Sequence, residues 1–154
     1  MKLIQEQLEA VDLIRDTKGP TRLLGAAGMG KSTVINSLGS ITKAAPTNKA
    51  AALIGCPTIH KLLSLRLQRR GTGYVTVPTR NTPTFKIQER VVFDESSCIP
   101  KDILEKYILE IFVNPVFVGD EAQLNPVGES IIPFMRLDCP TKRLTHCHRF
   151  GEEL

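Results

Sequence analysis

The sequence has no long apolar run. Its most apolar region, Tyr107 to Val118, is interrupted by Glu110, Asn114 and Pro115, and a membrane-spanning helix needs about 20 consecutive apolar residues. No membrane partner is therefore expected. The N-terminus, "MKLIQEQLEAV", turns polar after four residues and lacks the apolar segment and small-residue cleavage site of a secretory signal. That points to an intracellular setting, cytoplasmic or nucleoid-associated, in a cell or a virus-infected host. No CxxC pair occurs among Cys56, Cys98, Cys139 and Cys147, which argues for reduced thiols over a disulfide framework. The triplet "HCH" at His146 to His148 is too tight for its neighbours to share one tetrahedral metal centre. Internal repeats and low-complexity tracts are missing too. Charge of either sign is not dominant: the net charge of +4 permits a polyanionic partner without indicating one.

What is present suits one globular domain, since 154 residues suffice for a single core. Leu3, Ile4, Leu8, Val11, Leu13 and Ile14 recur at near-helical spacing, and "TKGP" at Thr17 to Pro20 ends that segment. Short apolar runs at Arg22 to Leu24, Ile41 to Ala45, Val91 to Phe93 and Val116 to Val118 read as buried strands. Helical patterns at Lys31 to Leu38, Lys49 to Ile54 and Lys101 to Phe112 separate most of them. The alternation predicts an α/β fold, a mainly parallel sheet with helices on both faces. Residues 64–90 break the rhythm as a small basic insertion, and "GYVTVPTRNTPTFKI" suggests a hairpin turning near Arg80 to Thr82.

The chemistry begins at "GAAGMGKST". Gly25, Gly30, Lys31 and Ser32 match G-x-x-x-x-G-K-[ST] between a predicted strand and a predicted helix. Such a loop, Gly25, Ala26, Ala27, Gly28, Met29, Gly30, Lys31, Ser32 and Thr33, wraps a phosphate chain with backbone N–H groups. Lys31 then reaches the β- and γ-phosphates and Ser32 binds Mg²⁺. In "VVFDESS", three strand residues deliver Asp94 and Glu95 to the carboxyl end of the sheet, where open α/β sheets place ligands. Asp94 is read as the second Mg²⁺ group and Glu95 as the base that orients the attacking water. A third strand ends in "VFVGDEAQLNPVG", which sets Gln123 beside a γ-phosphate as a sensor. A GTPase is disfavoured, because Asn48-Lys49 lacks the aspartate of N-K-x-D and residue 51 is alanine. A small-molecule kinase has no use for Gln123 or for a water-activating acid pair.

Taken in order, "LIQEQLEAV", "GAAGMGKST", "APTNKAAALI", "TIHKLL", "VVFDESSCI", "VGDEAQLNPVG" and "LTHCHRF" resemble the motifs of the first RecA-like motor domain of superfamily 1 DNA helicases. "GDEAQLNPV" is most similar to the RecD and Dda branch, although "TNKAA" is more like the UvrD branch. The resemblance implies a RecA-like P-loop NTPase domain using ATP and Mg²⁺. It makes Gln7 an adenine contact, Lys31, Glu95, Gln123 and Arg149 the catalytic set, and Ser32 with Asp94 the metal set. It also assigns Pro46, Thr47, Asn48, Thr58 and His60 to single-stranded DNA, and puts the insertion in the place of a strand-separating pin. Independently of it, Arg66, Arg69, Arg70, Arg80 and Lys86 with interleaved Tyr74 and Phe85 suit phosphate neutralisation and base stacking.

Superfamily 1 motors work in a cleft between two RecA-like domains, and the second motor domain is absent from these 154 residues. The implied partner is a second RecA-like domain in the same or another chain. The competing expectation is a non-catalytic nucleotide-binding module or helicase remnant.

Overall fold

Alternation along the strands builds the domain. The computed structural model describes residues 3–26, 29–120 and 132–145. Within them, β1 (Thr21–Leu24), β2 (Thr42–Ala44), β5 (Val91–Phe93), β6 (Pro115–Gly119) and β7 (Thr141–Arg143) form one sheet in the order β2-β5-β6-β1-β7. Every pairing in it is parallel. Because successive strand residues point to opposite faces, Leu23, Val92, Val116 and Val118 enter one core with Ala10, Val11, Ile14, Val34 and Ile35. Leu24, Val91, Phe93 and Phe117 enter the other. The first core lies under α1 (Gln5–Asp16) and α2 (Lys31–Ser37). The second is covered by α4 (Ile59–Leu62) and the helical stretch 101–111. There Phe93 meets Phe112 edge-on at 5.2 Å and stacks on Phe117 at 5.8 Å. Helices on both faces follow directly from strands apolar on both sides.

Several details differ from the sequence reading. Helix α1 begins at Gln5, so Leu3 and Ile4 precede it; it buries Gln7 and Ala10, whereas Leu8 is 43% exposed. The stretch expected as one α-helix is α5 (Lys101–Ile103), a π-helical turn (Leu104–Ile108) and α6 (Leu109–Ile111). The hairpin lies earlier than expected: β3 (Arg66–Arg70) pairs antiparallel with β4 (Gly73–Val77), and the chain reverses at Gly71-Thr72, not at Arg80 to Thr82. Both of its strands are largely exposed, so no buried face produces the apolar alternation by which strands are recognised. Strand β7 carries Thr, Lys and Arg, and the sequence pattern does not mark it, since an edge strand needs no apolar run.

Backbone ends are satisfied by side chains from afar. Arg90, just before β5, donates from Nε to Ile14 O (2.9 Å) and from one terminal nitrogen to Arg15 O (2.6 Å), closing the C-terminus of α1. Arg22, in β1, donates to Phe134 O (2.7 Å) and Leu137 O (2.9 Å), holding the 3₁₀ turn Pro133–Arg136 against the sheet.

That turn explains a glycine. A Cβ on Gly119, the last residue of β6, would lie 2.8 Å from Phe134 Cζ and 3.4 Å from Ser97 N. Phe134 is fully buried and cannot swing away. Gly119→Ala is expected to destabilise the domain by about 1–3 kcal/mol, the range for overpacking a dense core. Urea denaturation reads this as a lower midpoint at unchanged slope, and an unchanged midpoint refutes the close approach.

Candidate functional site

Five parallel strands bring their carboxyl ends to one edge. The phosphate loop follows β1, Pro46 and Thr47 follow β2, Asp94 and Glu95 follow β5, Asp120 follows β6, and Thr145 closely follows β7. In the sheet order, β6 separates β1 from β5. The loop and the acid pair are thus two strand spacings apart, about 10 Å.

Gly25 N–H donates to Gly119 O (3.2 Å), tying the start of the loop to the end of β6. Met29 N donates to Ala26 O (3.2 Å). Gly30 then sits at φ 88°, in the left-handed region that favours glycine, as the residue before α2. The chain can turn sharply there into a helix whose first N–H groups have no intrahelical acceptor. Lys31 Nζ donates to Gly25 O and lies 3.5 Å from Gly119 O, so its ammonium spans the ends of β1 and β6. Ser32 is exposed on the first turn and Thr33 is half-buried. Ala27 and Gly28 lie outside the described residues.

The acid pair is held from its own strand. Asp94 N donates to Ala44 O (2.9 Å), an extension of the β2–β5 pairing, and Asp94 Oδ1 accepts Glu95 N (2.8 Å). Glu95 takes φ 52° and ψ 41°, a left-handed conformation that costs a non-glycine residue of order 1–3 kcal/mol. Behind it, Ser96 Oγ donates to Phe93 O (2.6 Å) and Cys98 N donates to Glu95 O (3.0 Å). Cys56 lies near enough that Asp94, after burial, helps push its thiol pKa up. A hydroxyl and a carboxylate are hard oxygen donors, so Ser32 and Asp94 are chemically suited to Mg²⁺.

Gln7 is buried, and its Oε1 accepts Ile4 N (3.0 Å) at the start of α1. Beside it, Glu6 accepts Thr145 N (3.1 Å) and Thr145 Oγ1 (3.0 Å), linking α1 to the chain leaving β7. The sequence offers no sign of that link, because 139 residues separate its partners. Gln123 and Arg149 lie outside the described residues, as do His146 to His148. No cluster of three metal-ligating residues occurs among the described ones.

A second group of residues meets at the β2 edge. Ala45 pairs with Thr58 in an isolated parallel bridge, which brings the N-termini of α3 (Asn48–Ile54) and α4 together. Thr47 Oγ1 accepts Ala50 N (3.1 Å) and Thr58 Oγ1 accepts Lys61 N (3.1 Å), so both hydroxyls cap helices and keep a proton to donate. Pro46, Thr47, Asn48, Thr58 and His60 all lie within two residues of these two helix caps. His60 Nε2 reaches Thr76 Oγ1 in the hairpin (3.2 Å), and burial lowers its pKa, against an opposing pull from Asp102. The three arginines are not brought together. Arg66 and Arg70 share one face of β3, while Arg69 lies on the other, directly opposite Tyr74.

The family model for the AAA domain matches residues 2–154. Among solved structures, unliganded Pif1 from Bacteroides sp. is 23% identical with a TM-score of 0.69, over 97% of this chain and 42% of that one. Pif1 helicase from Bacteroides in complex with ADP-AlF3 and ssDNA is 22% identical with a TM-score of 0.68, over 99% of this chain and 44% of that one. Pif1 helicase from Candida albicans is 20% identical with a TM-score of 0.67, over 96% of this chain and 40% of that one. The chain spans less than half the length of these proteins, and at such identities the likeness shows the fold. No match was found among curated proteins. No described helix is long and apolar enough to cross a membrane. With its phosphate loop at the carboxyl edge of a five-stranded parallel sheet, a RecA-like fold, and a family match over nearly its whole length, the chain belongs to the AAA domain family.

Proposed function

We propose that this domain binds ATP with Mg²⁺ and serves as the first motor domain of a superfamily 1 DNA helicase. Hydrolysis is coupled to movement on single-stranded DNA, and to duplex unwinding, when a second RecA-like domain in the same or another chain closes the cleft. The observation that carries this reading is the shared edge: Lys31 bridges the ends of β1 and β6, with Asp94 and Glu95 at the end of adjacent β5.

Lys31 exchanges backbone carbonyls for phosphate oxygens, stronger acceptors for an ammonium group. Ser32 and Asp94 would hold the Mg²⁺, which would supply positive charge to the phosphate oxygens. Glu95 orients a water toward the γ-phosphate and takes its proton. Gln123 senses the γ-phosphate, Arg149 contributes one positive charge, and Gln7 contacts adenine. A remnant that only binds nucleotide has no need of a strained acid, whereas Glu95 is kept at positive φ directly after the strand. The relative solved with ADP-AlF3 and ssDNA supports both ligands.

Pro46, Thr47, Asn48, Thr58 and His60 contact the DNA backbone, and Arg66, Arg69 and Arg70 add sequence-independent phosphate contacts. Fluorescence anisotropy with a single-stranded oligonucleotide tests this. Replacing the three arginines by alanine is expected to weaken binding equally for all sequences. It should also flatten the plot of log affinity against log salt by up to about 2, because each phosphate neutralised on a single strand contributes about 0.7 to that slope. An unchanged affinity and slope place the DNA surface elsewhere.

A further inference from the structure

At the base of the hairpin, away from the phosphate loop, the segment 78–86 and the helical stretch 101–111 enclose a groove of about 540 Å³. Pockets of about 300–1,000 Å³ accommodate small molecules or single groups of larger ones. One wall is braced: Thr79 Oγ1 (2.6 Å) and Thr82 Oγ1 (3.1 Å) both donate to Ser64 O, and Ser64 itself holds φ 54°. Farther along, Ile87 N donates to Ile111 O (2.7 Å), fastening the same segment to α6. The opposite wall contains Lys106 and Tyr107 from the π-helical turn, an irregularity often found at functional sites.

The lining combines two chemistries. Phe85 is 70% exposed, a large cost in apolar surface for a residue held against a fixed wall. Lys86 and Lys106 line the groove with one carboxylate, Glu110, leaving its lining net positive. A flat apolar ring beside two ammonium groups is the pairing that takes an unstacked base and its phosphates. Position decides which strand. Thr76 in β4 is held by His60 through its hydroxyl and by Tyr107, whose hydroxyl donates to the Thr76 carbonyl (3.4 Å). The hairpin therefore stands between the α3–α4 surface and this groove.

Building on the DNA reading above, we propose that the groove binds the second single strand of a forked nucleic acid. One unpaired base stacks on Phe85, and its phosphates pair with Lys86 and Lys106, while the first strand follows the α3–α4 surface. The hairpin lies between the two arms.

Anisotropy with the 154-residue chain compares a duplex bearing one single-stranded arm with the same duplex bearing two. The two-armed fork is expected to bind about tenfold tighter, the scale of one base–aromatic stack. In Lys106→Glu that gain should vanish, with one-armed affinity within about twofold of wild type, and Phe85→Ala should remove the gain as well. 5-Iododeoxyuridine in the second arm should photocrosslink to Phe85 or Tyr107. If the one-armed duplex binds but the second arm adds nothing, or the gain survives in either variant, the groove assignment is overturned and the DNA reading stands. If neither duplex binds, both are overturned. A groove that takes a glutamate- and phenylalanine-containing peptide and ignores the second arm is a protein-docking site, which also overturns it.

Discussion

Lys31→Ala is expected to lower the affinity for ATP by about 10- to 100-fold, since a charge-assisted hydrogen bond contributes about 1.5–3 kcal/mol. The side chain is half-buried and its ammonium already bridges two strand ends through Gly25 O and Gly119 O. A phosphate entering the loop meets a cation held in place, so little side-chain entropy remains to be lost on binding. Alanine removes the charge and leaves the loop backbone, which still offers N–H groups to the phosphates. Binding is therefore weakened and not abolished. The fold should survive: the two carbonyls each give up a hydrogen bond with a net contribution of about 1 kcal/mol. Isothermal calorimetry with a non-hydrolysable ATP analogue, paired with a urea midpoint, separates the effects. Equal affinities in a folded variant remove Lys31 from the site.

Glu95→Gln is expected to leave ATP affinity unchanged and, with the second RecA-like domain and saturating single-stranded DNA present, to reduce turnover by about 10²- to 10⁴-fold, the usual contribution of a general base. Glutamine has the same shape, so the Asp94 Oδ1 bond to the residue 95 N–H and the turn that follows can persist. What is lost is the capacity to take a proton. Glu95→Gly supplies the complementary measurement. Glycine adopts φ 52° without the steric penalty that Glu95 bears, so this variant should be no less stable than wild type while equally inactive. Stability kept or gained with activity lost is the signature of strain held for chemistry. Wild-type turnover in Glu95→Gln assigns the base elsewhere, and a marked loss of stability in Glu95→Gly shows that the side chain has a structural duty instead.

Much of this molecule is legible in its residues alone. Three-residue apolar runs such as Val91–Phe93 mark central strands because both faces of a covered parallel sheet exclude water. The spacing from Gly25 to Ser32 marks the phosphate loop because few other residues let backbone N–H groups converge on an anion. Strand β4 is legible in "GYVTV" but its partner is not, and β3 and β7 escape such reading, since their residues are mostly exposed and nothing in their pattern reports pairing. The π-helical turn is equally hidden: its apolar residues suit an α-helix, and only packing selects the wider turn.

By itself, the sequence determined the residue types available for phosphate, metal and water chemistry, and the strand ends that carry them, because these depend on local pattern and on side-chain identity. Tertiary structure alone decided how those ends are ordered. It put β6 between β1 and β5 so that Lys31 rests on Gly119, set Phe134 against Gly119, and brought Glu6 to Thr145. It also divided the basic insertion, placing Arg69 with Tyr74 on one hairpin face, Arg66 with Arg70 on the other, and Phe85 in a groove beyond. The physical reason is that strand order, strand register and long-range side-chain bonds are settled by the joint burial of segments far apart in the chain, and no local window of residues carries that information.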